Sequence, residues 1–345
     1  MAVIGVALAA VVGTFAHFGG WLTPNDLTPA RLTDAFEQVD GLHPGFRRNH
    51  AKGLGASGFF ESNGNGVRLS KAAVFRPGRV PVIGRFSLSG GQPYAADRPD
   101  TVRGLALEFS LPDGELWRTA MINLPVFPVR TPEAFYERLI ASKPDPETGK
   151  PDPAKMKVFL ERHPETVLAL KVIKSQTVSS GFANSTFHGL NAFRFLNAEG
   201  DSTPARWLLM PEQPFEAAST ASAPRDKKYL FDALIAQTRR QPLRWHLIVI
   251  IGQAGDPTND ATIAWPQERE QVDVGTLTLD RVESDETSAA TDINFDPLVL
   301  PAGIAPSDDP LLNARSAVYA QSYTRRAGEA KQPSAITPAE VRKGE

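Results

Sequence analysis

The chain has 345 residues, of which 41% are hydrophobic, and a formal net charge of −2 at pH 7. This length exceeds the usual size of one domain, although barrel-centred folds often remain single domains. The near-neutral charge gives no reason to expect a nucleic-acid partner. The sequence has no cysteine, which excludes disulfides, thiolate metal sites and cysteine nucleophiles.

Residues 1–22 form an apolar segment at the start of the chain. From residue 2 to 18, every residue except Thr14 and His17 is apolar or small, which fits an export signal, a membrane anchor or a buried helix. The basic residues that precede a typical export signal are missing. Two interpretations therefore stay open: a periplasmic or membrane-anchored protein, which we favour, and a cytoplasmic protein in which this segment is a packed helix.

The sequence of the first half predicts a helix followed by short strands. Residues 28–39 have helical apolar spacing, with Thr28 as the N-cap and Pro29 at the first position. Runs rich in β-branched and aromatic residues follow, separated by turn residues. These predicted strands are residues 58–61, 73–75, 80–89, 102–109 and 117–129.

The sequence of the second half predicts further helices and a second set of strands. Thr131 and Pro132 begin a helix to residue 141, and a helical stretch over 155–172 is interrupted near Pro164. The strands are predicted at 192–196, 205–210, 245–251 and 273–282, with a helix at 226–239 between them. Without a repeat or a linker, residues 23–330 predict one α+β domain, an antiparallel β-barrel wrapped by helices. Residues 331–345 are predicted to be a polar tail, and the end from residue 327 onward is expected to be mobile.

Several common site types are excluded by the sequence. The six histidines include no pair at i,i+4 spacing, so a zinc site on a helix is not expected. The chain also lacks a G-x-S-x-G motif and a phosphate-binding P-loop.

The segment 46–61 reads Phe-Arg-Arg-Asn-His-Ala-Lys-Gly-Leu-Gly-Ala-Ser-Gly-Phe-Phe-Glu, and it closely resembles the motif on the distal haem side of catalases. Further matches follow in the same order at 84–87, 100–109, 123–132, 256–258, 265–266, 274–279, 294–304 and in Arg315-x-x-x-Tyr319. Such collinear matches over residues 46–326 are hard to obtain by chance. The chain is identified as a member of the catalase superfamily that resembles its small catalase-related peroxidases.

The resemblance implies a haem b whose iron is ligated by the tyrosinate of Tyr319, the metal ligand. An isolated phenol has a pKa of about 10, and Arg315, one helical turn earlier, is placed to keep the phenol ionised. Arg47 and Arg326 match positions that contact the haem propionates in the family. Arg325 is the neighbouring alternative to Arg326. The fold that the resemblance implies places the haem between the barrel and a proximal helix that carries Tyr319.

The resemblance also implies the catalytic residues. His50 matches the distal histidine, which takes a proton from the near oxygen of a peroxide and helps deliver it to the far oxygen. Ser87 matches the serine that orients this imidazole by hydrogen bonding. Phe135 matches the aromatic residue that lines the distal haem face. For Ser87 and Phe135, a packing role in the barrel is an equal alternative.

One position departs from the catalase pattern. Typical catalases have two asparagines before x-Pro, and the first assists peroxide binding. Residues 120–125 read Ala-Met-Ile-Asn-Leu-Pro, so aligning on Pro125 puts Ile122 at that place. Isoleucine cannot donate a hydrogen bond to a peroxide, and it makes the pocket more apolar, which suits an alkyl chain.

We therefore expect a peroxidase that removes reactive oxygen species by reducing organic hydroperoxides, and hydrogen peroxide weakly, with a small-molecule electron donor. Negligible catalase activity is expected. Three alternatives stay open: a true catalase, a hydroperoxide isomerase and a non-enzymatic haem-binding protein. The chain lacks the long arm and extension that support tetramers and a bound nucleotide in large catalases. We accordingly expect no NADPH, a monomer or dimer, and a possible membrane anchor.

Overall fold

The structure is a computed structural model that describes Gly5, residues 26–219 and residues 227–342. Apart from Gly5, the prediction for residues 1–22 lies outside the described residues. Within the described ranges, no helix is both long and apolar enough to cross a lipid bilayer.

Eight antiparallel strands form a closed barrel, which confirms the predicted fold class. The strands are β1 Gly53–Ser62, β2 Gly78–Leu88, β3 Arg103–Ser110, β4 Leu116–Ile122, β5 Phe187–Leu196, β6 Ser202–Pro211, β7 Leu243–Ile251 and β8 Gln271–Ser284. They pair in the order β4-β3-β2-β1-β8-β7-β6-β5, and the pair Ile122–His188 joins β4 to β5 and closes the ring. A short strand, β9 (Ile304–Pro306), pairs with β5.

Large aromatic side chains fill the interior of the barrel. Phe109 and Trp117 are stacked with ring centroids 4.8 Å apart, and Trp207 meets Trp117 edge-on at 5.2 Å. Successive residues of a strand point to opposite faces. Phe86 therefore lies in the core, whereas its neighbour Ser87 faces the outside of the barrel.

The helices lie on the outside of the barrel. They are α1 Pro29–Asp40, α2 Pro132–Ala141, α3 Pro153–Arg162, α4 Pro164–Ser175, α5 Tyr229–Arg240, α6 Pro310–Ala327 and α7 Pro338–Arg342. As predicted, Thr28 and Thr131 cap α1 and α2, each accepting a 3.2 Å hydrogen bond from the backbone three residues on. The predicted interruption at Pro164 separates α3 from α4. Because α1 packs against both α2 and α6, these three helices gather on one side of the barrel.

Four predicted strands differ substantially in the structure. The strand predicted at 192–196 begins earlier, because β5 spans Phe187–Leu196. Residues 73–75 form a 3₁₀ helix, because the N–H of Phe75 bonds back to Ala72 at 3.1 Å. The strand predicted at 58–61 runs over Gly53–Ser62, since its glycines let β1 lie close to its neighbours: a Cβ on Gly58 would overlap the carbonyl oxygen of Thr278. The strand predicted at 117–129 ends at Ile122, because the prolines that follow cannot donate to a strand ladder.

The prediction of a mobile C-terminal end is wrong for residues 331–342. Ile336 is buried in the barrel core, and its carbonyl oxygen accepts a 2.6 Å hydrogen bond from the hydroxyl of Ser284. Val341 packs against the same core, and α7 lies on β8. The segment is polar in composition, but its apolar residues Ile336 and Val341 pack against the barrel core. The division into residues 1–22, 23–330 and 331–345 stays a prediction.

Candidate active site

A cavity of about 420 Å³ lies between the outer face of strands β2–β4 and helix α6, with α1 and α2 along its side. All the residues that the sequence analysis proposed for the site line this cavity: Arg47, His50, Ser87, Phe135, Arg315, Tyr319 and Arg326. The fold thus brings together residues that are up to 279 positions apart in the chain. The roles assigned to them stay predictions.

Two rows of cross-strand partners form the barrel wall of the cavity. The first row is Ser87, Gly104 and Ile122, and the second is Arg85, Ala106 and Ala120. Small residues make much of this wall flat. A Cβ on Gly104 would stand 2.9 Å from the Ser87 hydroxyl and 3.2 Å from the His50 ring, so the absence of a side chain lets the imidazole lie against the strand.

His50 is held rigidly on this wall. Its Nδ1 lies 3.0 Å from the hydroxyl oxygen of Ser87, and Arg85 donates a 2.9 Å hydrogen bond to its carbonyl oxygen. Among the described residues, His50 is the one non-glycine residue with a positive φ, at +58°, a strained conformation that is common at functional sites. Burial, aided by the positive charges of Arg85 and Arg315, lowers the pKa of His50 to about 3. The imidazole is therefore neutral at physiological pH.

Tyr319 lies on α6 beside Arg315, as its spacing predicts. Arg315 donates to the phenol oxygen at 3.4 Å and to the carbonyl of Ala120 at 3.2 Å. The side-chain oxygen of Asn191 accepts a further hydrogen bond from Arg315, and the Asn191 amide donates to Asp309 at 2.8 Å. Because Asp309 also caps α6, this chain of contacts fixes the guanidinium beside the phenol. Asn191 and Asp309 gave no sequence signal of this role, since their contacts join distant segments.

Three arginines converge at one end of the cavity: Arg47, Arg85 and Arg326. Arg47 and Arg326 donate to backbone carbonyls within residues 290–293, at 2.9 and 2.6 Å for the shortest contacts. Arg85 forms a 2.6 Å ion pair with Asp285. Burial, followed by repulsion from Arg85, lowers the pKa of both Arg47 and Arg326. With Asp285 as the paired carboxylate, the cluster keeps an excess of positive charge that suits an anionic ligand.

Sequence analysis missed Arg85, although it lies within the quoted motif at 84–87. A signal was present: Arg85 and Ser87 are two residues apart on a strand and therefore face the same side. The structure also separates Arg326 from its neighbour Arg325. Arg325 forms ion pairs with Asp34 and Glu37 of α1 at 2.6 and 2.9 Å, whereas Arg326 lines the cavity.

The remaining wall of the cavity is largely apolar. Phe135 of α2 stands between two other rings, with centroids 5.7 Å from Phe36 and 5.8 Å from Phe127. Ile122 lies at the end of β4, directly across the ladder from Gly104, where an added Cβ would stand 3.2 Å from the His50 ring. The side chain of Ile122, at this point of the wall, thus offers the imidazole region no hydrogen-bond donor.

The chemistry of this donor set fits a haem. The small residues of the barrel wall leave room for a flat group, and the apolar rings around Phe135 suit a macrocycle. The excess of buried guanidinium groups would match two propionates. The phenol of Tyr319, with Arg315 at its oxygen, suits a ferric iron, and the neutral imidazole of His50 lines the same cavity.

Comparisons with known proteins agree with this geometry. The family model described as "Catalase" matches residues 27–338. A "Catalase-related peroxidase" of Synechococcus elongatus is 39% identical over 326 residues, which cover 94% of this chain and 96% of that protein. A protein of the same description from Mycolicibacterium paratuberculosis is 34% identical over 88% of this chain and 96% of its own length.

Longer catalases are also similar. Catalase of Sus scrofa is 30% identical over 86% of this chain, which corresponds to 59% of that protein. Among solved structures, a fungal catalase matches with a TM-score of 0.75 at 21% identity, over 86% of this chain. A bacterial catalase matches with a TM-score of 0.72 at 23% identity, over 87% of this chain. The chain spans about 60% of the length of these two solved catalases.

Proposed function

This chain belongs to the catalase family, and we propose that it is a haem peroxidase that reduces organic hydroperoxides with electrons from an external small-molecule donor. The observation that carries this proposal is Ile122 on the cavity wall beside His50. In the overall reaction, a hydroperoxide takes up two electrons and two protons and yields an alcohol and water.

The residues that would hold the haem follow from the cavity. Tyr319 would ligate the iron as a phenolate stabilised by Arg315, and Arg47, Arg85 and Arg326 would neutralise the propionates. A bound haem would supply the redox chemistry, namely two electrons for cleavage of the O–O bond that the external donor replaces.

His50 would move the proton. The neutral ring would accept the proton of the hydroperoxide O–H and return it to the oxygen that carries the alkyl group, so that this oxygen leaves as an alcohol. Because Ser87 lies 3.0 Å from Nδ1, its hydroxyl would keep the other ring nitrogen directed at the substrate. The rigid backbone of His50 would hold this geometry without a conformational change on binding.

Ile122 supports the choice of substrate. Disproportionation requires a second hydrogen peroxide to be bound and oxidised, and a small polar peroxide gains no hydrogen bond from isoleucine. An alkyl hydroperoxide gains apolar contact at the same place. The wall beside His50 therefore favours organic hydroperoxides over hydrogen peroxide.

The test measures oxygen release from hydrogen peroxide and dye oxidation with an alkyl hydroperoxide on the same haem-loaded sample. We expect little oxygen and strong dye oxidation. Ile122→Asn should raise oxygen release by about 3- to 10-fold, the value of one hydrogen bond, and Ile122→Val, which adds no donor, should not.

Other outcomes of this test point to the alternatives. Vigorous oxygen release from the native protein would identify a true catalase. Consumption of a lipid hydroperoxide without any reductant would identify an isomerase. Inactivity towards all peroxides, with haem bound, would identify a haem carrier.

The pH dependence gives a second test. Protonation would remove the lone pair that accepts the peroxide proton, so the rate should fall only as the pH falls towards the His50 pKa of about 3. We expect a constant rate of reaction with an alkyl hydroperoxide from about pH 5 to 8, measured by stopped-flow absorbance. A histidine with the ordinary pKa would be only about 3% neutral at pH 5. A decline centred near pH 6.5 would therefore contradict the buried, neutral state of His50.

A further inference from the structure

Helix α2 presents one charged residue to an otherwise apolar side of the cavity. Pro132, Phe135 and Leu139 recur at helical spacing and line the cavity, and Arg138 lines it with them. Residues three positions apart are neighbours on a helix surface, so the side chain of Arg138 emerges beside the ring of Phe135. A guanidinium thus stands at the apolar wall that would contact a substrate.

Arg138 differs from the other cations of the cavity because its guanidinium has no partner of any kind among the described residues. Arg48 and Arg85 pair with carboxylates, whereas Arg47, Arg315 and Arg326 donate hydrogen bonds to neutral oxygens. For Arg138, no carboxylate or hydrogen-bond acceptor in residues 26–219 or 227–342 is in contact with the guanidinium. Burial lowers the pKa of Arg138, and no charge of the described residues contributes.

Arg138 is also separate from the arginines proposed for the propionates. Arg47 and Arg326 are each affected by the charge of Arg85, whereas none of these three charges acts on Arg138. Among the described residues, the carboxylate on the cavity wall is Asp40, whose oxygen accepts a 2.7 Å hydrogen bond from the backbone of Gly91. The described residues of the cavity wall thus supply no negative charge at Arg138, and an anionic ligand would supply it.

An unpaired guanidinium in an apolar wall selects a particular ligand. Removing a cation from water is unfavourable unless an anion binds it, and the planar guanidinium matches a carboxylate with two parallel hydrogen bonds. The surrounding side chains, such as Leu32, Phe36 and Leu139, favour a hydrocarbon chain. A carboxylate at one end of an alkyl chain satisfies both requirements.

We propose that Arg138 binds the carboxylate of a fatty-acid hydroperoxide, whose alkyl chain lies along the apolar wall and whose hydroperoxide group faces His50. This inference rests on the proposed function and specifies its substrate class. The reaction itself is unchanged: the fatty-acid hydroperoxide becomes the corresponding hydroxy acid, with water as the second product. Arg138 sets the position of the chain and thereby the carbon whose hydroperoxide meets the imidazole.

Equilibrium binding tests the inference without any turnover. Calorimetry on the haem-loaded protein would compare decanoic acid with its methyl ester, which has the same chain and no charge. We expect the acid to bind about 10- to 100-fold more tightly, and Arg138→Gln and Arg138→Met to remove this preference. Arg162→Gln is the matched control, because Arg162 is exposed and pairs with Glu137 at 2.9 Å outside the cavity.

Turnover forms the second arm of the experiment. The ratio of kcat/KM for a fatty-acid hydroperoxide to that for its methyl ester should fall from about 10–100 to near one in both Arg138 variants, and Arg162→Gln should keep the native ratio. The Soret band and the melting temperature of each variant establish that it is folded and haem-loaded. If one Arg138 variant does not fold, the other still provides the comparison.

The outcomes separate this inference from the proposed function. Equal binding and equal turnover of acid and ester by the native protein would overturn the role of Arg138, while hydroperoxide turnover would still support a peroxidase. A carboxylate preference that depends on Arg138, with no turnover of any hydroperoxide, would support the anion site and overturn the peroxidase. A preference that persists in both Arg138 variants would place the anion elsewhere and overturn the inference.

Discussion

Replacing His50 with asparagine is expected to lower the rate of O–O cleavage by about 100- to 10,000-fold, the usual contribution of a positioned acid–base group. The imidazole is neutral, buried and held by Ser87, and under the proposed function it would transfer the peroxide proton. Asparagine suits this position because it tolerates the left-handed backbone at φ +58°, yet it cannot accept a proton. Stopped-flow absorbance with an alkyl hydroperoxide would measure the effect.

His246→Asn provides the control. His246 lies outside the cavity between Glu212 and Asp273, at 3.2 and 2.9 Å from their carboxylate oxygens, so the rate should stay near that of the native protein. Haem content should be the same in both variants. A His50 variant that binds haem and reacts at the native rate would remove proton transfer from the mechanism and favour a haem carrier.

Replacing Tyr319 with phenylalanine is expected to weaken haem binding by more than about 100-fold. This exceeds the effect of removing a residue that only hydrogen-bonds to a metal ligand, because here the proposed ligand itself is lost. The substitution removes the oxygen that would ligate the iron and leaves the Arg315 guanidinium beside an apolar ring. A titration of the apoprotein with haem, followed by the Soret band, would give the affinity. Electron paramagnetic resonance of the ferric protein would report the loss of the phenolate ligand.

Tyr323→Phe distinguishes the two tyrosines of α6. Tyr323 also lines the cavity, one turn further along the helix, but its ring is covered by Arg326, with the guanidinium 4.7 Å from the ring centroid. We expect Tyr323→Phe to keep the native ferric spectrum. Loss of the phenolate signal in the Tyr323 variant, with retention in the Tyr319 variant, would identify Tyr323, one helical turn further along, as the iron ligand.

The sequence by itself determined the starts of two helices and predicted candidate residues for the site. The threonine–proline pairs at Thr28 and Thr131 fixed the starts of two helices, because capping and the φ of proline act within a few residues. The resemblance of short motifs to those of catalases pointed to His50 and Tyr319 and revealed the substitution at Ile122. These signals are readable in one dimension because each depends on neighbours along the chain.

The tertiary structure alone decided which charges find partners. Arg85 and Arg138 look like ordinary arginines in the sequence, yet one pairs with Asp285 at 2.6 Å, 200 positions away, and the other faces the cavity without a partner. The same holds for Ile336, whose burial needs the surface of β8. Ion pairing and burial depend on distances between segments that are far apart in sequence, and those distances exist only after the barrel has closed and the helices have packed on it.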